Sequence, residues 1–436
     1  MHTKLNTLST TFLVVASMLG TGILTTTGSI LSLVKSPGAV IAVWIAGGLL
    51  AWFGAYCYGT IVRALPRNGG EAVILKEYFS PVLGEITGWV SFIVGFAASN
   101  AATSLALAAY LDAAFPGLAW RSEIVACFAL IVVTALHSVV GASGIRIQTA
   151  LAACKFSLLA ALALYGLLLA SPDAISNAVP SDANTVAAFG SEWGVAMMLV
   201  MFAYSGWNAA IYVAAEVRNP GRTVRNAMVI GTSITLLLYV AVNIAVLRHL
   251  PAAEIEGVIP VISLLVKTMF GDAAAHWFSG LVAFALLSSL GASAFIGPRV
   301  LAATLEWIRG QNREATAASE APRTRPVSPR LIWLQAAISM GMVLTGTFEQ
   351  ILTVMGFLLG LFPILCVFAI YRIVDVTEQR APAIARYVFG PMFICVMSGI
   401  LVLGALQKPA EVTVALLLVF SLFVLRRGLR QIGGAR

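Results

Sequence analysis

The chain has 436 residues, 59% hydrophobic and 11% charged, with a net charge of +8 and a mean hydropathy of +0.92. Soluble domains carry about 25% charged residues, so a chain this apolar cannot cover its own surface in water. Charge-free runs of about 20 residues recur along it, the length a bilayer demands of a helix, and they are too long and too aliphatic for alternating barrel strands.

Twelve transmembrane helices are predicted, at 10–34, 38–62, 85–111, 123–143, 146–170, 191–214, 225–248, 273–300, 330–347, 350–371, 385–406 and 409–426. The first span continues too directly into the second to be a cleaved signal peptide. No soluble domain is expected. The polar stretch Arg309 to Pro329 reads as a mobile cytoplasmic loop. With the N-terminus placed in the cytoplasm, the outer loops hold only Lys35, Arg121, Arg248, Lys267 and Lys408. The inner loops and tails hold nearly all the remaining Lys and Arg, among them Arg63, Arg67, Arg218, Arg222, Arg426 and Arg427. This asymmetry follows the positive-inside rule. The net charge is therefore a topology signal for a multi-pass inner-membrane protein with both termini cytoplasmic, and no nucleic-acid partner is implied.

In the first span, Ser17-Met18-Leu19-Gly20-Thr21-Gly22-Ile23-Leu24 puts two glycines and a threonine at mid-depth, where they weaken the helix. Asn100 in the third span is a buried amide that either reads a polar substrate group or bonds to a neighbouring helix. Lys155 lies about ten residues into the fifth span, roughly 15 Å along the helix, too deep for easy snorkelling. An ionisable group there is a functional candidate by default: a proton carrier, a fixed cation replacing a coupling ion, or a structural donor to freed carbonyls. In the sixth span, Phe202-Ala203-Tyr204-Ser205-Gly206-Trp207-Asn208 makes a second mid-depth interruption. Either interruption alone could be close packing through small residues. Together they sit five spans apart, so one span enters from the cytoplasm and the other from outside, the expectation for an inverted repeat. Such a pair binds a zwitterion: freed N–H groups at a half-helix N-terminus favour a carboxylate, and freed carbonyls receive an ammonium. Glu216, among Arg218, Arg222 and Arg225, reads as a loop anchor or inner gate.

Catalytic and metal chemistry find little support. The five cysteines all fall in apolar spans and read as packing residues. The four histidines lack metal-ligand spacing. No nucleotide-binding loop or nucleophilic triad occurs, and no Asp or Glu lies well inside a predicted span, which argues against an intramembrane enzyme. Neither cofactor nor metal is expected. A channel or a membrane sensor is the alternative from another class, although no pore stripe or filter loop is visible.

At these residues the chain resembles the amino acid–polyamine–organocation superfamily. Gly20-Thr21-Gly22-Ile23-Leu24 is similar to that family's GSGIF, and Pro66-Arg67-Asn68-Gly69-Gly70 to its PxxGG turn. Phe202 to Asn208, followed by Glu216-Val217-Arg218-Asn219-Pro220, resembles the L-type subgroup and its bacterial relatives, as do the fourth and fifth spans through Gln148 and Lys155. The resemblance covers most of residues 10–305. Subgroup members often have Gly where Ser205 stands, and the basic-proline motif near Arg372 to Pro382 is degenerate.

The resemblance implies an all-α membrane protein with a 5+5 inverted-repeat fold, like that of the bacterial leucine transporter. Residues 1–170 would form the first repeat, 171–371 the second, and 372–436 two further helices with a basic tail. It implies an amino acid site in which Thr21, Gly22 and the Met18 backbone face the carboxylate, the carbonyls of Phe202, Ala203 and Ser205 face the amino group, and Phe202 gates. Ala285, Ser288 and Ser289 resemble a segment that lines a sodium site in sodium-coupled members, with Lys155 placing its ammonium where sodium would sit. Serine pairs in helices are also often simple packing. The expected activity is sodium-independent transport of small or medium neutral L-amino acids, by exchange or proton coupling. A transporter or exporter of polyamines or cationic amino acids is the alternative within the fold. The loop Asp112 to Glu123 has no Cys and the chain has no N-x-Ser/Thr sequon, so no disulfide-linked heavy subunit is expected. The protein would work in the lipid bilayer as a monomer or homodimer.

Overall fold

A computed structural model describes residues 4–117, 120–140, 145–168, 192–308, 327–373 and 381–434. The loop expected at 309–329 therefore lies, up to residue 326, outside the described residues. So does most of the degenerate motif between Arg372 and Pro382.

The described secondary structure is helical apart from one isolated bridge between Leu5 and Val217. In chain order the helices are α1 (Thr7–Met18), α2 (Gly22–Val34), α3 (Pro37–Ala64), α4 (Gly70–Tyr78), α5 (Pro81–Val90), α6 (Ser99–Ala114), α7 (Ser122–Val140), α8 (Ile145–Leu168), α9 (Glu192–Ala203), α10 (Pro220–His249), α11 (Ala252–Ile255), α12 (Val261–Phe270), α13 (Asp272–Ile308), α14 (Pro329–Thr345), α15 (Phe348–Phe368), α16 (Gly390–Gln407) and α17 (Pro409–Gly434). A π-helical segment, Ser91–Ala98, joins α5 to α6, and a 3₁₀ segment, Ala209–Glu216, follows α9. Six helical stretches are long and apolar enough to cross a membrane, or seven counting the bent pair α1 and α2. Four more of the expected spans, at 123–143, 146–170, 191–214 and 409–426, coincide with shorter apolar helices, the one expected at 330–347 is the 17-residue α14, and α12 is a helix that no predicted span anticipated.

Local chemistry sets many boundaries. Asn6 caps α1 by accepting from the Ser9 amide at 2.9 Å. Ser36 and Ser80 cap α3 and α5, each followed by proline at the first helical position, where its missing N–H costs nothing. Thr347 and Gln350 form a capping box on α15. The π-helical segment shifts the hydrogen-bond register, and Ser339 on α14 donates to the Ala97 carbonyl at 2.8 Å. Glu85 and Arg426 form a buried ion pair that ties α5 to α17.

Packing centres on α10, which lies against α1, α3 and α8, and on α9, which lies against α2, α15 and α16. Between them sits an aromatic cluster of Trp44, Tyr204 and Tyr239, with ring centroids 5.1–5.8 Å apart. All three are fully buried. Trp44 meets both tyrosines edge-on, and rings at these distances add cohesion beyond their buried area.

Candidate substrate site at two apposed helix breaks

The first span is broken where the glycines predict. α1 ends at Met18, α2 begins at Gly22, and the two are bent by 46°. The turn between them is tight: the Gly20 amide donates to the Met18 carbonyl at 2.7 Å. Thr21 precedes α2 without a side-chain cap. The first amides of a helix lack a partner four residues back; the Leu24 amide is taken by the Thr21 carbonyl at 3.0 Å, which leaves those of Gly22 and Ile23 for an anion. Thr25 and Thr26 direct their hydroxyls backwards, to the carbonyls of Thr21 and Gly22, each at 2.8 Å.

The second break lies after Ala203. The Tyr204 amide reaches Val200 and the Ser205 amide reaches the Phe202 carbonyl, each at 2.9 Å. Gly206 then takes φ +97°, a left-handed value that side chains avoid. The chain resumes as the 3₁₀ segment 209–216.

The two breaks touch backbone to backbone. A Cβ at Gly22 would overlap the Cα of Ala203, and a Cβ at Gly206 would come within 2.6 Å of the Ser17 carbonyl oxygen and 3.1 Å of the Met18 amide nitrogen. Each glycine is thus required by the other span. Thr21, Gly22, Phe202 and Ala203 are buried, and Ser205 is half-buried.

Hydroxyls from buried tyrosines reach carbonyls at and near the breaks. Tyr239 on α10 donates to Met18 at 2.5 Å, and Tyr110 on α6 donates to Leu24 at 2.9 Å. Tyr204 donates to Trp44 at 3.0 Å. Met18 therefore has its carbonyl capped and its amide packed against Gly206. Sequence reasoning missed Tyr239. Asn243 one turn later was the one hint, and a tyrosine in an apolar span otherwise looks like packing.

Lys155 and Ser289 are brought together, with Lys155 Nζ donating to Ser289 Oγ at 3.1 Å. The Ser289 hydroxyl in turn donates to the Ala285 carbonyl at 3.2 Å. Ser288 is adjacent and half-buried. Lys155 also lines a small cavity with Leu19, Gly20, Leu24, Leu158, Leu159, Phe278 and Val282. The lysine thus stands beside the first break, in otherwise apolar surroundings. Asn100 is buried, and its Oδ1 has no hydrogen-bond partner. No group of three or more metal-ligating side chains occurs among the described residues.

A second polar cluster lies beyond the second break. Tyr58 and Asn208 both donate to Glu71 Oε1 at 2.8 Å. Glu71 is buried on α4, and burial pushes its carboxyl above the usual carboxylate range, against the opposing effect of the two donors. Nothing in the sequence pattern marked this residue.

The chain belongs to the amino acid permease family, whose family model matches residues 5–307. It is similar to b(0,+)-type amino acid transporter 1 of Mus musculus, with 28% identity over 299 residues, 66% of this chain and 60% of that protein. It is 24% identical over 402 residues to the serine/threonine exchanger SteT of Bacillus subtilis (strain 168), covering 90% of this chain and 88% of that one. It is 26% identical over 302 residues to large neutral amino acids transporter small subunit 2 of Oryctolagus cuniculus, covering 65% and 53%. The chain thus spans less than two thirds of the length of the mouse and rabbit relatives. Family membership and the long apolar helices point to a multi-pass membrane protein of the amino acid permease family.

Proposed function

We propose that this protein is a secondary active transporter of amino acids that works by alternating access between two inverted five-helix repeats within twelve spans. The observation that carries the reading is the apposition of the two breaks through Gly22 and Gly206. Uncapped amides at the start of α2 suit a carboxylate, and unwound carbonyls at 202–205 suit an ammonium. A zwitterionic α-amino acid supplies both. The site residues are Thr21, Gly22, Phe202, Ala203 and Ser205, with Met18 contributing backbone and Asn100 a side-chain contact.

Small or medium neutral L-amino acids are the expected substrates. The breaks hold no acid for an extra positive charge, and the relative aligned over most of this chain is named an exchanger of serine and threonine. The Lys155 to Ser289 bond supports sodium independence, since a fixed ammonium there meets the need that a coupling ion would otherwise serve. The termini are assigned to the cytoplasm by the basic loops, and no disulfide-linked heavy subunit is expected.

Counterflow in proteoliposomes with a panel of radiolabelled amino acids tests this reading. Trans-stimulated uptake of neutral amino acids, equal in sodium and choline buffer, is the expected result. Conductance without trans-stimulation would overturn the transporter reading. A strong sodium stimulation would overturn the assignment of Lys155, and Lys155→Met is expected to lose at least tenfold in exchange rate.

A further inference from the structure

The PxxGG-like turn after α3 clamps the segment that leaves the second break. Three contacts, spaced along 208–215, make the clamp. Glu71 Oε1 accepts from Asn208 Nδ2 at 2.8 Å. Gly70, at φ +65°, lies so close to the Tyr212 ring that any side chain there would overlap it. Asn68 Oδ1 accepts from the Ala215 amide at 2.8 Å. The preceding glycine also takes a positive φ, +115°. The pair thus serves a purpose beyond making a turn: it brings Asn68 and Glu71 flush against the 3₁₀ segment. Tyr58 on α3 donates to the same Glu71 oxygen, and its ring packs edge-on against Trp207 at 4.7 Å. Trp207 and Asn208 are the last residues of the break itself.

We propose that Glu71 is a positioning residue of the transport cycle, fastening Asn208, and so the trailing flank of the second break, to α3 and α4, and releasing it when that end of the molecule opens. The proposal rests on the transporter reading above. A break whose first trailing residue, Asn208, is fastened to a buried carboxylate stays in position while that carboxylate is covered, and loosens when it reaches water.

The charge of Glu71 reports which state is occupied. The titratable groups that face it are Tyr58 from α3, Tyr212 from the 3₁₀ segment and Cys366 from α15. Among the described residues, no lysine or arginine contributes to its electrostatics. Burial raises its proton affinity above that of the same group in water. Protonation therefore favours the packed arrangement, and ionisation favours the open one. Stability carried this way is present below the ordinary carboxylate range and falls as pH rises through the raised value. The two donors oppose the shift, so removing either should move the transition to higher pH.

The test compares wild type with E71Q, E71A, N208A and Y58F, each checked for monodispersity. The readouts are counterflow of a neutral amino acid and thermal melting in detergent, both between pH 4.5 and 8. Wild type is expected to lose exchange rate several-fold on acidification and to gain melting temperature. E71Q keeps an acceptor for Asn208 without a titrating group, so its KM should stay within about twofold while both pH dependences flatten. E71A and N208A should each raise KM about tenfold, the factor carried by one hydrogen bond of ordinary strength, and the double variant should add nothing more. N208A and Y58F should shift the acid transition upward in pH. If E71Q keeps the wild-type pH profile and melting slope, or if E71A and N208A add independently, the proposal fails. Should E71Q not fold, unshifted transitions in both N208A and Y58F overturn it. Absence of counterflow in wild type would instead count against the transporter reading, and the melting series would still decide the role of Glu71.

Discussion

The two breaks interrupt their spans in the same way but are held in opposite ways. The first spans three residues, and the carbonyls around it accept hydroxyls from inside the bundle, Tyr239 and Tyr110, and from Thr25 and Thr26 one turn on. The second is longer, contains a left-handed glycine, passes into a 3₁₀ segment, and is held from outside its own bundle by Asn68 and Glu71. A neutral hydroxyl inside the bundle is a fixed support, because exchanging it for water requires the core to part. A carboxylate on a short connecting helix is a support that solvent can compete for. On the proposed reading, this difference makes the first break the constant part of the site and the second the part that moves.

The harshest way to break this comparison is to push the breaks apart. Gly22→Ala puts a methyl group onto the Ala203 backbone, and Gly206→Ala adds left-handed strain of about 1–2 kcal/mol to a close approach to Ser17 and Met18. Backbone cannot retreat as a flexible side chain can, so both variants should lose counterflow by at least about a hundredfold. If monodisperse Gly22→Ala retains exchange near the wild-type rate, the two spans do not meet in the working protein.

A smaller change separates fixed support from moving support. Tyr239→Phe deletes one hydroxyl and leaves the Met18 carbonyl buried, with the Gly20 amide as its remaining partner among the described residues. An under-satisfied buried group of this kind costs about 1–3 kcal/mol. The variant should melt a few degrees lower, with KM raised and no change in pH profile. A pH profile altered as in the Glu71 variants would mean that both breaks move, and the contrast between them would be lost.

What the sequence revealed follows the same division. Both breaks were legible because glycine and polar residues are conspicuous in a run the bilayer otherwise makes helical. Lys155 was legible for the same reason, and its pairing with Ser289 was expected through the resemblance. Their supports were not legible. Tyr239 and Met18 are far apart in the chain, and tyrosine in an apolar span looks like packing. Glu71 fell in a stretch read as an inner loop, yet α4 forms there and buries Glu71 with Ile74 and Leu75. A carboxylate on a nine-residue helix carries no periodic signal that it will be covered. The reason appears only when Gly69 and Gly70 turn it onto the 3₁₀ segment.

The smallest expected effect lies at the far end of α2, away from both breaks. Lys35 closes the helix at φ 55° with its amide bonded to Leu31. It also pairs with Glu256 at 3.2 Å, with the two side chains 65% and 39% exposed. These two features pull in opposite directions when the residue becomes glycine. An exposed ion pair contributes about 0–1 kcal/mol, and relief of a left-handed side chain returns roughly 1 kcal/mol. Screening by salt weakens the first and leaves the second untouched. Lys35→Gly should therefore melt at or slightly above the wild-type temperature, the gain growing with ionic strength, while Lys35→Ala, which keeps the strain and loses the pair, should melt slightly lower. Exchange should be unchanged in both, because the residues proposed to face the substrate lie at the other end of the helix. A loss of exchange in Lys35→Gly would show that α2 moves as a lever during transport, and the first break would then be no more fixed than the second.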